Sequence, residues 1–228
     1  MADRVWNRAG ALSGMAFVVL SLLGAFLYPE QPRSDSAPAV TLAWVHDHRA
    51  ALQWGIIVSI VAAATFLWFA GWVRSSLPAD HPLGAVVLGA GVAVAVMSAL
   101  AVMPTAIMAF MDSQPAGLHD ATLVRMLGDL NTVFFAAVSV MNAVFMLGLA
   151  AVLLRREVLA RWLGWPALVV AACNVVAVWV EITFSSYHGK AWNAIGWGAY
   201  IGFLAVVLVG SVMALGRRRS PSPALAAT

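Results

Sequence analysis

Six long apolar runs constrain the fold of this chain more than any other feature of its sequence. A helix that crosses the hydrocarbon core of a bilayer, about 30 Å thick, needs about 20 mainly apolar residues. Runs of about that length recur at residues 9–28, 51–73, 83–110, 130–154, 163–184 and 194–215. They are continuous and lack the alternation of barrel strands, and a helix satisfies its own backbone polar groups. The sequence therefore predicts an all-α, polytopic transmembrane helical bundle with six spans.

Composition supports this class. Of the 228 residues, 62% are hydrophobic and 10% are charged, whereas soluble domains carry about 25% charged residues. We expect one six-helix domain over residues 1–216 and a basic, Ser/Pro-rich, disordered cytoplasmic tail at 217–228. The first run is predicted to be an uncleaved span, because its apolar core exceeds the roughly 7–15 residues of a signal peptide. The single cysteine, Cys173, excludes an intrachain disulfide and a multi-cysteine metal site.

The basic residues that flank the runs are distributed unevenly. Cytoplasmic flanks accumulate Lys and Arg, and an inside N-terminus gives nine such residues inside and four outside. The inside set is Arg4, Arg8, Arg74, Arg155, Arg156, Arg161, Arg217, Arg218 and Arg219. The outside set is Arg33, Arg49, Arg125 and Lys190. This bias predicts a multi-pass protein of a bacterial plasma membrane with both termini cytoplasmic, the bilayer as its main partner, and no nucleic-acid partner.

The same topology places most of the remaining ionisable residues outside. They are His46, His48, His119 and His188 with Glu30, Asp35, Asp47, Asp112, Asp120 and Asp129. Two spans also carry polar stripes at helical spacing. The stripe of the fourth span is Asn131, Phe135, Ser139 and Asn142, and that of the fifth is Asn174, Val178, Glu181, Ser185 and His188. Asn142 and Asn174 are both predicted near the midplane, where they could hydrogen-bond to each other.

These residues predict an outward-opening polar pocket between the fourth and fifth spans and the loop that enters the second. Its candidate ligand-binding residues are Glu181, His188, Ser185, Asn174, Asn142, Asn131, His46, His48, His119 and Asp120. Glu181 would form the floor, because it lies about 27 Å along the fifth span, near the outer boundary of the core. An ionisable residue inside a span is a functional candidate. The alternative is structural: Glu181 pairs with Arg125 or Lys190, and the loop residues are ordinary surface.

Neither a metal nor another cofactor is expected. His46 and His48 are two residues apart in a predicted loop, and no His-Glu-x-x-His spacing occurs. Haem would require paired histidines within spans, whereas these histidines lie beyond the outer ends or in loops.

The sequence of the third span predicts how this helix bends and packs. Pro104 is expected to kink it. Gly84, Gly89 and Gly91 suit close helix packing.

Three short segments resemble a family of bacterial, mainly actinobacterial, six-helix integral membrane proteins of unknown function. They are Asp47-His48-Arg49 before the second span, Phe66-Leu67-Trp68-Phe69 with Gly71 and Arg74 at its inner end, and Arg161-Trp162-Leu163-Gly164-Trp165 opening the fifth. The resemblance implies plasma-membrane residence and a helical bundle. It supplies no activity, so no residue receives a role from it.

Three functional hypotheses follow from the sequence. The leading one is a non-enzymatic protein that binds or transports a small molecule or cation through the outward-facing pocket. The second is an accessory or assembly subunit, or a homo-oligomer, whose polar outer face docks a partner. The third is a membrane-embedded enzyme acting on a lipid or isoprenoid, with Glu181 and His188 as acid and base.

Overall fold

The computed structural model describes residues 2–29, 32, 36–114, 120–155, 159–183 and 190–216, without the side chains of 2–4, 180–183 and 190–193. Its helices are α1 Ala2–Leu27, α2 Pro38–Ser75, α3 Pro82–Ala101, α4 Met103–Asp112, α5 Ala121–Leu154, α6 Gly164–Thr183 and α7 Lys190–Gly216. A short 3-10 turn at Arg161–Leu163 precedes α6, and the described part contains no strand. The predicted tail at 217–228 lies outside the described residues.

Within the part of the chain that the structure describes, six helical stretches are long and apolar enough to cross a membrane. They are Val5–Leu27, Pro38–Ser75, Pro82–Asp112, Ala121–Leu154, Arg161–Trp179 and Ala194–Gly216. The prediction of an all-α bundle with six spans is confirmed, and the chain is a multi-pass membrane protein.

The third span consists of two helices, α3 and α4. The helix is interrupted at Val102, two residues before Pro104. Proline has no N–H to donate and its ring crowds the carbonyl four residues earlier, which explains the break at the predicted position.

The helices form a closed ring in the order α1, α2, α3–α4, α5, α6 and α7, with α7 packed against α1. Four buried phenylalanines, Phe17, Phe66, Phe145 and Phe203, fill its centre from α1, α2, α5 and α7. We call these four rings the aromatic plug. Phe66 is its middle member, with centroid distances of 4.8 Å to Phe17, 5.1 Å to Phe145 and 5.5 Å to Phe203. Such pairs contribute about 0.5–1.5 kcal/mol each beyond their area.

The two ends of the bundle differ in chemistry. At one end α1, α4 and α6 finish while α2, α5 and α7 begin; this histidine end carries His46 and His48. At the opposite, arginine end, Arg74 lies in the last turn of α2, while Arg155 and Arg161 stand between α5 and α6.

At the histidine end two helices extend well beyond the predicted spans. α2 begins at residue 38 rather than 51, and α5 at residue 121 rather than 130. At 1.5 Å per residue these extensions add about 20 Å and about 14 Å. With α4 they enclose a second apolar core, made of Trp44, Val45, Leu52, Met108, Ala109, Val124 and Leu127. The placement of His46 and His48 in a loop was therefore wrong: both lie in α2, and packing against α4 and α5 accounts for the helix there.

Two of the three glycines predicted to serve helix packing do so. A Cβ at Gly91 would overlap the Cβ of Ala70 and lie 3.4 Å from Cε2 of Phe145, and a Cβ at Gly84 would lie 2.8 Å from Nε of Arg74. Gly89 was wrongly included, because a Cβ there has no atom within 4 Å. Helices in lipid associate largely through such close contacts.

Replacing Gly91 by valine is expected to destabilise the bundle by about 1–3 kcal/mol, because overpacking forces α3 away from α2. Gly89→Val is the matched control on the same helix, since its side chain points into open space. Thermal unfolding of the detergent-purified variants measures the difference. Equal unfolding temperatures for the two variants would contradict the described packing of α3.

Candidate functional site

The most buried carboxylate whose side chain is described lies where α4 meets α2. Nδ1 of His46 is 3.4 Å from Oδ1 of Asp112, and Nη1 of Arg49 is 3.9 Å from Oδ2. The Asp112 side chain is 7% exposed, against 72% for His46 and 46% for Arg49. His46 and Arg49 are three residues apart on α2, so both face α4. The Arg49 distance is too long for a hydrogen bond, and Oδ2 of Asp112 is buried without a hydrogen-bond partner.

A second polar group lies deeper, about 10 Å further along α4. Nδ2 of Asn131 donates a hydrogen bond to Oγ1 of Thr105, at 3.4 Å between two buried side chains. Oδ1 of Asn131 has no hydrogen-bond partner. Burial raises the pKa of the Tyr28 phenol, and the neighbouring Thr105 hydroxyl lowers it to a smaller extent, so the phenol stays neutral at physiological pH.

Asn142 continues this series toward the middle of the bundle. It lies eleven residues beyond Asn131 on the same face of α5, about 16 Å further in. Its side chain is buried, and Oδ1 has no hydrogen-bond partner. Asn142 is three residues before Phe145 of the aromatic plug. The buried oxygens of Asp112, Asn131 and Asn142, which we call the acceptor track, therefore run from the histidine end down to the plug.

Asn142 and Asn174 are both buried, but the hydrogen bond expected between them does not form. Nδ2 of Asn174 donates instead to the carbonyl of Val170 in its own helix, at 2.8 Å. A carbonyl four residues earlier is always within reach of a short polar side chain on a helix. This local bond competes with the bond across the bundle, and it leaves Oδ1 of Asn142 free.

Two of the predicted rim residues have local structural roles. Asp120 caps α5 by accepting hydrogen bonds from the backbone N–H groups of Thr122 and Leu123, at 2.8 and 3.2 Å. A carboxylate there satisfies otherwise unpaired donors and complements the helix dipole. Nδ1 of His48 donates to the carbonyl of Trp44 at 2.9 Å.

A surface depression lies beside the first turns of α2, the segment that was expected to be the loop at one edge of the predicted pocket. It is lined by Pro32, Ala39, Val40, Ala43, Trp44, Asp47 and His48.

Four predicted pocket residues have side chains that lie outside the described residues. They are His119, Ser185, His188 and Glu181, the last of which has its backbone in α6. The predicted pocket between the fourth and fifth spans therefore stays a prediction. Of the predicted residues, only Asn131 and Asn142 belong to the acceptor track, and His46 contacts its outermost member, Asp112.

The site also contains three residues that were not predicted from the sequence: Asp112, Arg49 and Thr105. Asp112 had been counted among the outer acids, and Arg49 only as a topology signal. One spacing could have found part of the site: Thr105 and Asp112 are seven residues apart and so share a face of α4. Nothing in the sequence indicates that this face meets His46.

The cluster of Asp112, His46 and Arg49 is not part of a larger group of metal-binding side chains among the described residues. Within the described ranges, no three His, Cys, Asp or Glu side chains come together as a possible metal site. Asp112 and His46 supply two ligands at most.

Comparison with known proteins adds no relative. No protein-family model, curated protein or solved structure matches the chain. The function is therefore inferred from the chemistry of the acceptor track.

Replacing Thr105 by valine should destabilise the protein by about 1–3 kcal/mol, because Nδ2 of Asn131 would remain buried without a partner. Thr132→Val on α5 is the control, since that hydroxyl bonds only to the Gly128 carbonyl of its own helix. Chemical or thermal unfolding of the purified variants measures both. The double variant Thr105→Val/Asn131→Leu should recover most of the lost stability, because neither polar partner is then left buried and unpaired. A Thr105→Val variant as stable as the Thr132→Val control would be inconsistent with the buried bond.

Proposed function

We propose that this chain binds and transports a small positively charged solute, taken up from the histidine end. The observation that carries the proposal is the acceptor track. Oδ2 of Asp112, Oδ1 of Asn131 and Oδ1 of Asn142 are buried at three depths without hydrogen-bond partners.

The chemistry of these atoms selects the solute. A carboxylate and amide oxygens accept hydrogen bonds or coordinate hard cations, so a metal cation or an ammonium group would satisfy them. The Asp112 carboxylate would repel an anion, whereas a cation that also accepts hydrogen bonds could pair with Nε1 of Trp44 and the hydroxyl of Tyr28, which are likewise buried without hydrogen-bond partners. Each buried oxygen left unpaired costs about 1–3 kcal/mol, and a bound solute of this class would recover part of that free energy.

A solute would reach the acceptor track more easily from the histidine end. Asp112 is the last residue of α4 at that end, whereas the aromatic plug fills the centre of the ring beyond Asn142. A solute that follows the acceptor track would stop at the plug. Passage to the arginine end would then require the four rings to separate.

We also propose that the histidine end faces outward from a bacterial plasma membrane and that both termini are cytoplasmic. The support is the excess of arginine at the opposite end, together with the resemblance to actinobacterial membrane proteins.

Cysteine labelling tests this orientation. In a Cys173→Ala background, Gln114→Cys places a thiol at an exposed site on the histidine end, and Asp80→Cys places one at an exposed site on the arginine end. A membrane-impermeant maleimide added to intact cells should label Gln114→Cys directly. It should label Asp80→Cys only after permeabilisation, and the reverse pattern would overturn the orientation.

Ligand-dependent stabilisation tests binding. The full chain in lipid nanodiscs is heated with Na⁺, K⁺ or ammonium chloride at constant ionic strength. A binding cation should stabilise it by about 1.4 kcal/mol at ten times its Kd. Asp112→Asn should remove the effect, because the buried charge is lost.

Asp129→Asn removes an exposed carboxylate at the same end and should keep the effect. Two outcomes would contradict the proposal: no cation stabilises the protein, or Asp112→Asn responds as fully as Asp129→Asn.

A further inference from the structure

We propose that Arg49 is a built-in competitor for the solute: its guanidinium holds the solute's position at Asp112 until a guanidinium or primary ammonium compound displaces it. This inference rests on the proposed function and names the substrate class of that site.

The first support is the incomplete pairing of Asp112. An arginine that serves a buried carboxylate structurally forms hydrogen bonds of about 2.7–2.9 Å, often in pairs. Nη1 of Arg49 instead stays 3.9 Å from Oδ2, and Oδ2 has no hydrogen bond although the side chain is 7% exposed. Arg49 thus compensates the charge, while Oδ2 remains buried without a hydrogen bond.

The second support is the difference in exposure between the partners. The Arg49 side chain is 46% exposed and can leave for solvent without crossing the protein interior. Asp112 is fixed at the end of α4 between neighbouring helices. The arginine is therefore the partner that can move.

Direct replacement of Arg49 by the solute avoids a state in which the buried carboxylate of Asp112 has no positive partner. An unpaired carboxylate in a buried site is strongly destabilising. With Arg49 in place before binding and the solute in place afterwards, the charge of Asp112 is compensated in both states. His46 stays beside Oδ1 throughout, at 3.4 Å, which leaves Oδ2 for the solute.

The solute class follows from what Oδ2 lacks. It needs an N–H donor that approaches to hydrogen-bonding distance and brings positive charge. Alkylguanidinium and primary alkylammonium ions offer several such donors. Tetramethylammonium carries the charge without a donor, so it would leave Oδ2 unsatisfied and should bind much more weakly.

The test measures binding of ethylguanidinium chloride to the full chain in nanodiscs by calorimetry at constant ionic strength. Arg49→Gln should bind it about fivefold more tightly, the factor that corresponds to removing a partly exposed ion pair of about 1 kcal/mol. Arg49→Lys keeps a tethered cation and should bind close to wild type. Arg125→Gln removes one positive charge from an exposed site at the same end and should leave the affinity unchanged.

The results separate this inference from the function on which it rests. If Asp112→Asn abolishes binding but Arg49→Gln binds no more tightly than wild type, Arg49 is a structural partner and the inference is wrong, while the proposed function stands. A gain in Arg125→Gln equal to that in Arg49→Gln would also overturn it, because the effect would then be general electrostatics. Binding that survives Asp112→Asn would overturn both proposals. Tetramethylammonium binding as tightly as ethylguanidinium would refute the solute class.

Discussion

The rings of Phe17, Phe66, Phe145 and Phe203 meet at the centre of the helix ring, and the rest of the architecture depends on that contact. Lipid tails are as apolar as the side chains, so the hydrophobic effect does not drive one helix against another within a bilayer. Dense packing must hold the helices together instead. The plug brings together side chains from α1, α2, α5 and α7. The other contacts of these helices are mainly with their neighbours in the ring.

The buried oxygens that lack hydrogen-bond partners are distributed unevenly along the bundle axis. The interior acceptors Asp112, Asn131 and Asn142 are on the histidine side of the plug or directly beside it. The arginine end is held by interhelical contacts of other kinds, such as the bond that Nε1 of Trp6 donates to Oγ of Ser75. Among the described residues, buried oxygens without hydrogen-bond partners thus lie on the histidine side of the plug, whereas Ser211 in the arginine half is buried but bonds to the carbonyl of Val207.

The spans could be predicted from the sequence because twenty consecutive apolar residues leave few alternatives in lipid. The start of α2 could not, since residues 38–50 are interrupted by charges and become helical where Trp44 and Val45 pack on α4 and α5. The site was predictable only in part. Helical spacing placed Asn131 and Asn142 on an interior face, but no periodicity brings Asp112 to His46, because that pairing depends on how α4 lies against α2.

The length of α2 connects two distant parts of the molecule through one continuous helix. It runs unbroken from Pro38 to Ser75, and its only proline is the first residue. Arg49 lies at its histidine end and Phe66 seventeen residues further on, about 25 Å along the axis. A tilt of about 5° at the Arg49 end would therefore displace the Phe66 ring by about 2 Å through a rigid rod. Arg49 beside Asp112 and the central ring of the aromatic plug are thus parts of one continuous helix.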